Sequence, residues 1–307
     1  MRLALLWISL VAPSLAAAGV LNVEFKFTPY TGDLKQDSVQ TVAGKARVFL
    51  NNALVAEQEV SSGSLPVLFD EREIAPSVWV PVASMGPALR KGHNRLRIEF
   101  LPGDAKTPYM GQLSWATVND EVRESDDGAG SHSSSNQSGE GKEDRPATGT
   151  LVFERDFDAD FAKDRAWHHY PAVTALGDPD KATLLEAVRA RTGAFKPAFE
   201  AVYEQLGLNP AIHVAELRKM KCLDAAYAAG VRVALVPETQ IEFSISGGPE
   251  VVLTGKDGKL FEMGNEAVFS KIKGDDMQMC AGMVLSIAYP QRLAFVRNPG
   301  GAWELAY

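Results

Sequence analysis

Along the first third of the chain, apolar and polar residues alternate with a period of two. Val23, Phe25 and Phe27 alternate with Glu24, Lys26 and Thr28; Ala46, Val48 and Leu50 with Lys45, Arg47 and Phe49; Leu96, Ile98 and Phe100 with Arg95, Arg97 and Glu99. Such runs predict strands that each turn one face to a core. Asn51-Asn52 tolerates positive φ and predicts a tight hairpin leading into Val55, while Gly92 to Asn94 turns the chain into the Leu96 strand. Val78, Val80 and Val82 form a further strand with Trp79 on its other face, and Pro81 confines that strand to an edge or a bulge. About six to eight short strands with little helix predict a β-sandwich over residues 19–120.

The pattern then stops. Residues 121–149 are almost entirely Ser, Gly and charged or amide residues, with no large apolar side chain from Ser125 onward, so the side chains offer little to offset the entropy of ordering them. The stretch is expected to be a disordered acidic linker. It carries seven acids (Glu121, Glu124, Asp126, Asp127, Glu140, Glu143, Asp144) against three bases (Arg123, Lys142, Arg145), and that excess is half the net charge of −8. A flexible tether of this length allows two modules to move independently.

Helical periodicity follows from residue 150. Asp178-Pro179 opens a helix through Leu184, Leu185 and Val188 to Gly193; Phe195, Phe199, Val202 and Leu206 recur at helical spacing before Gly207; Asn209-Pro210 starts a third helix through Met220, Leu223 and Tyr227 to Gly230. The period then returns to two. Ile241, Phe243 and Ile245 predict one strand, residues 251–261 a hairpin around Asp257-Gly258, and Met283, Leu285, Ile287 and Tyr289 a long strand. Leu293 and Phe295 with Trp303 and Leu305 close a last hairpin around Asn298 to Gly301. Helices followed by an antiparallel sheet make residues 150–307 an α+β module.

Compartment and redox state come from a few residues. Met1-Arg2, the apolar run Leu3 to Val11 and the small residues Ala12 to Ala18 read as a secretory signal over residues 1–18, with the mature chain secreted or periplasmic. The apolar run is about half a spanning length, so no membrane insertion is expected after cleavage. Cys222 and Cys280 are the only cysteines, both in the second module, and in an oxidising compartment they predict a disulfide; two separate buried thiols are the alternative. A sequence pI near 5.3 without a basic block argues against a nucleic-acid partner.

Candidate chemistry is sparse. His168-His169 follows Asp156, Asp158, Asp160 and Asp164, but adjacent side chains diverge and zinc-ligand spacing is missing. Met277, Met279 and Met283 with Cys280, and Met220 with Cys222, offer soft sulfur for copper, against the plainer reading of core methionine beside a disulfide. Trp79 and Trp115 are either stacking platforms or core residues, with core expected for at least one. Gly-x-Ser-x-Gly, phosphate-loop, Gly-x-Gly-x-x-Gly, His-Glu-x-x-His and Cys-x-x-Cys patterns are all missing. No catalytic residue, metal or cofactor is therefore assigned.

Two resemblances accompany these readings. Val48 to Val55 and Leu89 to Ile98 resemble the strand-turn-strand and the later strand entry of jelly-roll, galactose-binding-like accessory domains of glycoside hydrolases, although Asn52 stands where those domains usually have Gly. The second module, with its ending Phe295-Val296-Arg297 to Gly301-Ala302-Trp303-Glu304-Leu305, is similar to the cone-shaped nuclear transport factor 2-like fold. The first implies carbohydrate binding without assigning any residue to it. The expected function is non-enzymatic binding of a glycan or an envelope protein. A small enzyme or a small-molecule pocket in the second module is the rival, and a deep pocket with convergent polar groups rather than a filled interior would favour it.

Overall fold

A computed structural model of the chain describes residues 19–68, 73–124, 131–207, 212–264 and 266–307. The expected signal segment lies outside the described residues. The first eleven strands are β1 (Gly19–Thr31), β2 (Ser38–Thr41), β3 (Gly44–Leu50), β4 (Ala53–Val60), β5 (Ser64–Leu68), β6 (Glu73–Ile74), β7 (Val78–Pro81), β8 (His93–Pro102), β9 (Tyr109–Glu124), β10 (Ser131–Ala147) and β11 (Leu151–Asp158). They form two antiparallel sheets. The larger runs β10-β9-β1-β2-β5-β6, with β7 also paired to β1; the smaller runs β11-β8-β3-β4.

Period two decides what fills the space between them. Phe27 lies opposite Leu113 in the β1–β9 register, so both point inward, where Phe27 meets Phe100 and Phe153 of the smaller sheet at centroid distances of 5.8 and 5.9 Å. Fully burying each such side chain is worth about 1.5–3 kcal/mol. Asn51 and Asn52 have φ of 51° and 68°, which gives the predicted two-residue hairpin. Val78 and Val80 are buried while Trp79 faces out, as the strand reading requires.

Asn94, at the second predicted turn, is fully buried and satisfied. Its amide nitrogen donates to the carbonyls of Arg90 and Gly92 at 2.7 and 2.8 Å, and its Oδ1 accepts from Arg90 N–H and Asn51 Nδ2 at 2.9 and 3.0 Å. This network fixes the loop that presents Arg90.

The acidic stretch departs from expectation. Residues 125–130 lie outside the described residues, but Ser131–Ala147 is not a free tether: it pairs antiparallel with β9, with a register shift between Ser138 and Gly141. Strand pairing on a sheet edge is made by backbone groups, so a strand forms there with few apolar side chains when its neighbour is anchored. The polar residues also find partners. Asp144 accepts from Tyr30 and Gln112, and the Arg145 guanidinium lies 4.7 Å from the Phe153 ring centroid. β11 then pairs with β8, so the sandwich extends to Asp158, beyond the boundary expected at 120.

The second module contains α1 (Asp178–Thr192), α2 (Glu200–Gly207), α3 (Val214–Met220), α4 (Cys222–Ala229), β12 (Ala234–Leu235), β13 (Ile241–Ile245), β14 (Glu250–Gly255), β15 (Phe261–Glu262), α5 (Glu266–Phe269), α6 (Asp275–Ala288), β16 (Arg292–Arg297) and β17 (Trp303–Leu305). An antiparallel sheet β13-β14-β16-β17 packs against the helices, and the last hairpin is as predicted, with Phe295 opposite Leu305. Three local readings change. The helix expected from Phe195 starts only at Glu200, after positive φ at Ala198 and Phe199. The third helix breaks at Lys221, whose φ is 55°. β15 pairs with β12 rather than with β14.

The larger correction is the strand expected over Met283 to Tyr289, which is the end of α6. Cys280, Ala281, Val284, Leu285 and Ala288 are buried, a 3.6-residue stripe, while Met283 and Ile287 are exposed at 54% and 44%. A short apolar run satisfies both periods, and packing against α4 and α2 selects the helix.

The two modules are packed together. β14 is buried on both faces: Val251 and Leu253 join the helical core, while Val252 and Ala294 meet Ala53 of β4. Arg292 donates to the Val55 carbonyl, and Arg90 Nη2 meets both carboxylate oxygens of the buried Glu250 at 2.8 and 3.0 Å. Burial raises the Tyr307 hydroxyl pKa, the nearby Glu250 carboxylate adding to the shift. The expected independence of two tethered modules is replaced by an apolar junction closed by the Arg90–Glu250 ion pair and the Arg292 hydrogen bond to the Val55 carbonyl.

Candidate functional site

The outward face of the large sheet carries the strongest cluster of polar groups around an opening. Because Phe25 and Phe27 point into the sandwich, Glu24 and Lys26 point away from it, and the register places Ser114 and Trp79 on either side of Lys26. Lys142 of β10 lies opposite Ser114. Glu24, Lys26, Ser114 and Lys142, together with Glu73, Trp115, Gln137 and Glu140, line a half-open groove of about 450 Å3, and Trp79 stands beside it, paired with Lys26 across the strands.

Its polar groups are held in place. Glu73 Oε1 accepts from Ser114 Oγ at 2.8 Å and lies 3.7 Å from Lys26 Nζ. Glu24 Oε2 accepts from Trp79 Nε1 at 3.1 Å, which fixes an indole that is 56% exposed. Trp79 is thus a surface residue. Trp115 differs: it is half-buried against the sandwich core, with the Arg155 guanidinium 3.5 Å from its ring centroid. A Cβ on Gly141 would fall 2.3 Å from Trp115 Cζ2, so the glycine leaves room for the ring beneath β10. The core expectation for one of the two tryptophans fits Trp115 in part and Trp79 not at all.

Chemically, carboxylates and lysines alternate around the groove, giving acceptors and donors without a strong single sign of charge. An immobilised, exposed aromatic face beside them suits a ligand that is apolar on one side and rich in hydroxyls at its edge. Glu73 and Gln137 were not singled out in the sequence. The alternation of Glu24 and Lys26 marked them only as outward positions, and no local signal connects them to residues 50–120 positions away.

The other sequence candidates fall elsewhere. His168 is buried in a 3-10 turn, with Nδ1 facing the Arg165 N–H at 3.3 Å and Nε2 facing the Pro87 carbonyl at 3.0 Å, so it ties the second module's entry to the sandwich. His169 is exposed and bonds Asp164, whose carboxyl it holds below the usual carboxylate range. Met279 and Met283 lie on the exposed face of α6, and Met277 packs against the helical core. Among the described residues, no group of three His, Cys, Asp or Glu is placed to hold a metal ion. Cys222 and Cys280 are bridged, with Cα atoms 5.9 Å apart, so the first residue of α4 is fastened to α6. Among the described residues, no helix is long and apolar enough to cross a membrane.

No protein-family model, curated protein or solved structure matches this chain. The architecture therefore stands as a β-sandwich joined to a helix-and-sheet module, and the jelly-roll accessory-domain and cone resemblances rest on the residues that carry them.

Proposed function

We propose that the protein is an extracytoplasmic, non-enzymatic binding protein whose sandwich recognises a glycan in the groove on its large sheet. The observation that carries this reading is Trp79: a large aromatic face, 56% exposed, held by Glu24, which with Lys26 lines the adjacent opening of alternating carboxylates and amines. Sugar rings offer axial C–H faces to such an indole and equatorial hydroxyls to the polar lining. The disulfide supports an oxidising compartment, in keeping with the signal-like residues 1–18. The filled helical core favours surface binding over internal chemistry.

The test is affinity electrophoresis of the mature protein through gels containing soluble polysaccharides, followed by titration of the best retarding glycan. Trp79→Ala should abolish retardation and leave the melting temperature nearly unchanged. Trp115→Ala should instead lower stability by about 3 kcal/mol through lost burial. Retention of binding by Trp79→Ala, or no retardation by any glycan, would overturn the reading.

A further inference from the structure

A second opening lies in the other module, where α1 and α2 cross the edge of the β13-β14-β16-β17 sheet. Its volume is about 560 Å3, within the range of small-ligand sites. Small residues make it. Ala187 and Ala190 on α1 and Ala201 on α2 keep the helices' side of the opening shallow, above a floor where Leu293 and Phe295 are buried and Leu305 and Trp303 remain accessible. Leu305 is one of the few large apolar residues left 42% exposed.

One wall of this apolar groove carries a cation. Arg191 is half-buried; its Nε donates to the Ala288 carbonyl at 2.8 Å, and among the described residues no carboxylate forms an ion pair with it. Burial lowers its pKa, the nearby Tyr289 opposing that shift. The buried Gln205 Oε1, on the same lining, has no hydrogen-bond partner, and Lys196 stands exposed at the rim. Glu304 also borders the opening, but it alternates to the other face of β17, where it bonds Tyr170. Partly desolvated guanidinium without a counterion is costly, and an anion supplied from outside would restore the balance. Apolar floor and unpaired cation are complementary to one kind of occupant.

We propose that this groove binds a single-chain anionic amphiphile, its carboxylate or phosphate head on Arg191 and Lys196 and its alkyl chain along the helix alanines, Leu305 and Trp303. The site is separate from the glycan groove and does not depend on that reading.

Displacement of a dansyl-labelled undecanoic acid from the intact mature protein tests it, with lauric acid, lauryl phosphate, lauryl alcohol and acetate as competitors. Lauric acid or lauryl phosphate should compete at least about tenfold better than lauryl alcohol, and acetate should not compete. Which of the two anions binds tighter identifies the head group. Arg191→Met should weaken the anions about tenfold or more and leave the alcohol unchanged. Ala187→Phe, at an exposed helix position, should fill the groove and abolish probe binding without changing the melting temperature. Equal competition by acid and alcohol, wild-type binding by Ala187→Phe, or no probe binding by folded protein would each overturn the proposal.

Discussion

Replacing Arg90 by alanine tests whether the two modules form one cooperative unit. The Glu250 side chain is 1% exposed and that of Arg90 is 26% exposed, with contacts of 2.8 and 3.0 Å. At an effective dielectric constant of about 20, that separation corresponds to an attraction of about 6 kcal/mol. Among the described residues, the variant would leave a buried carboxylate that keeps only a long side-chain hydrogen bond, from Ser246 Oγ at 3.4 Å. Breaking one partner of a buried pair costs about 3–5 kcal/mol, whereas replacing both by apolar residues is nearly neutral. Thermal unfolding followed by circular dichroism should show a fall of about 10 °C for Arg90→Ala. The double variant Arg90→Met with Glu250→Met should recover most of that loss. Hydrogen exchange of β14 should accelerate in the single variant, although the substituted residue lies in the other module. A melting temperature within about 1 °C of the parent, or unchanged β14 protection, would refute the reasoning.

Three further outcomes follow from local geometry. Reducing the Cys222–Cys280 bridge, which spans a sequence separation of 58, should destabilise the second module by about 4 kcal/mol in the chain-entropy account, and thiol titration of the denatured, unreduced protein should find none free. Gly282 lies within α6, and a Cβ there would meet nothing within 4 Å, so Gly282→Ala should stabilise the protein by about 0.5–1 kcal/mol in urea unfolding; a loss of stability would speak against the helix. The Asp180 carboxyl is held below its usual pKa, first by the Trp303 indole N–H and also by Gly177 N–H and Arg297. A depressed folded-state pKa contributes stability above the ordinary carboxylate pKa of about 4 that is lost as pH falls through the folded value, so the melting temperature of Asp180→Asn should fall less steeply than the parent's below about pH 4.

Period-two alternation was enough to identify β1, β3, β8 and the Trp79 strand, because a strand with one buried face must write that face into every second residue. Two turns were equally legible: Asn51-Asn52 takes positive φ in both positions, and Asn94 supplies four hydrogen bonds to its own loop and the neighbouring turn. The disulfide was legible from compartment and parity. By contrast, β10 buries almost no apolar surface, so its sequence is that of a linker, and only the anchored edge of β9 makes it a strand. Met283 to Tyr289 fits either period, and the choice was made by α4 and α2 packing against one face of α6. The groove on the large sheet joins Glu24, Glu73, Ser114 and Lys142, and the second groove joins Arg191 to Phe295 and Leu305. Neither set shares a spacing, because residues far apart in the chain become neighbours only through sheet register and helix crossing. The junction is the same in kind: Arg90 and Glu250 read separately as surface charges, and only the packing of β14 against β4 takes Glu250 out of water and makes their pairing necessary.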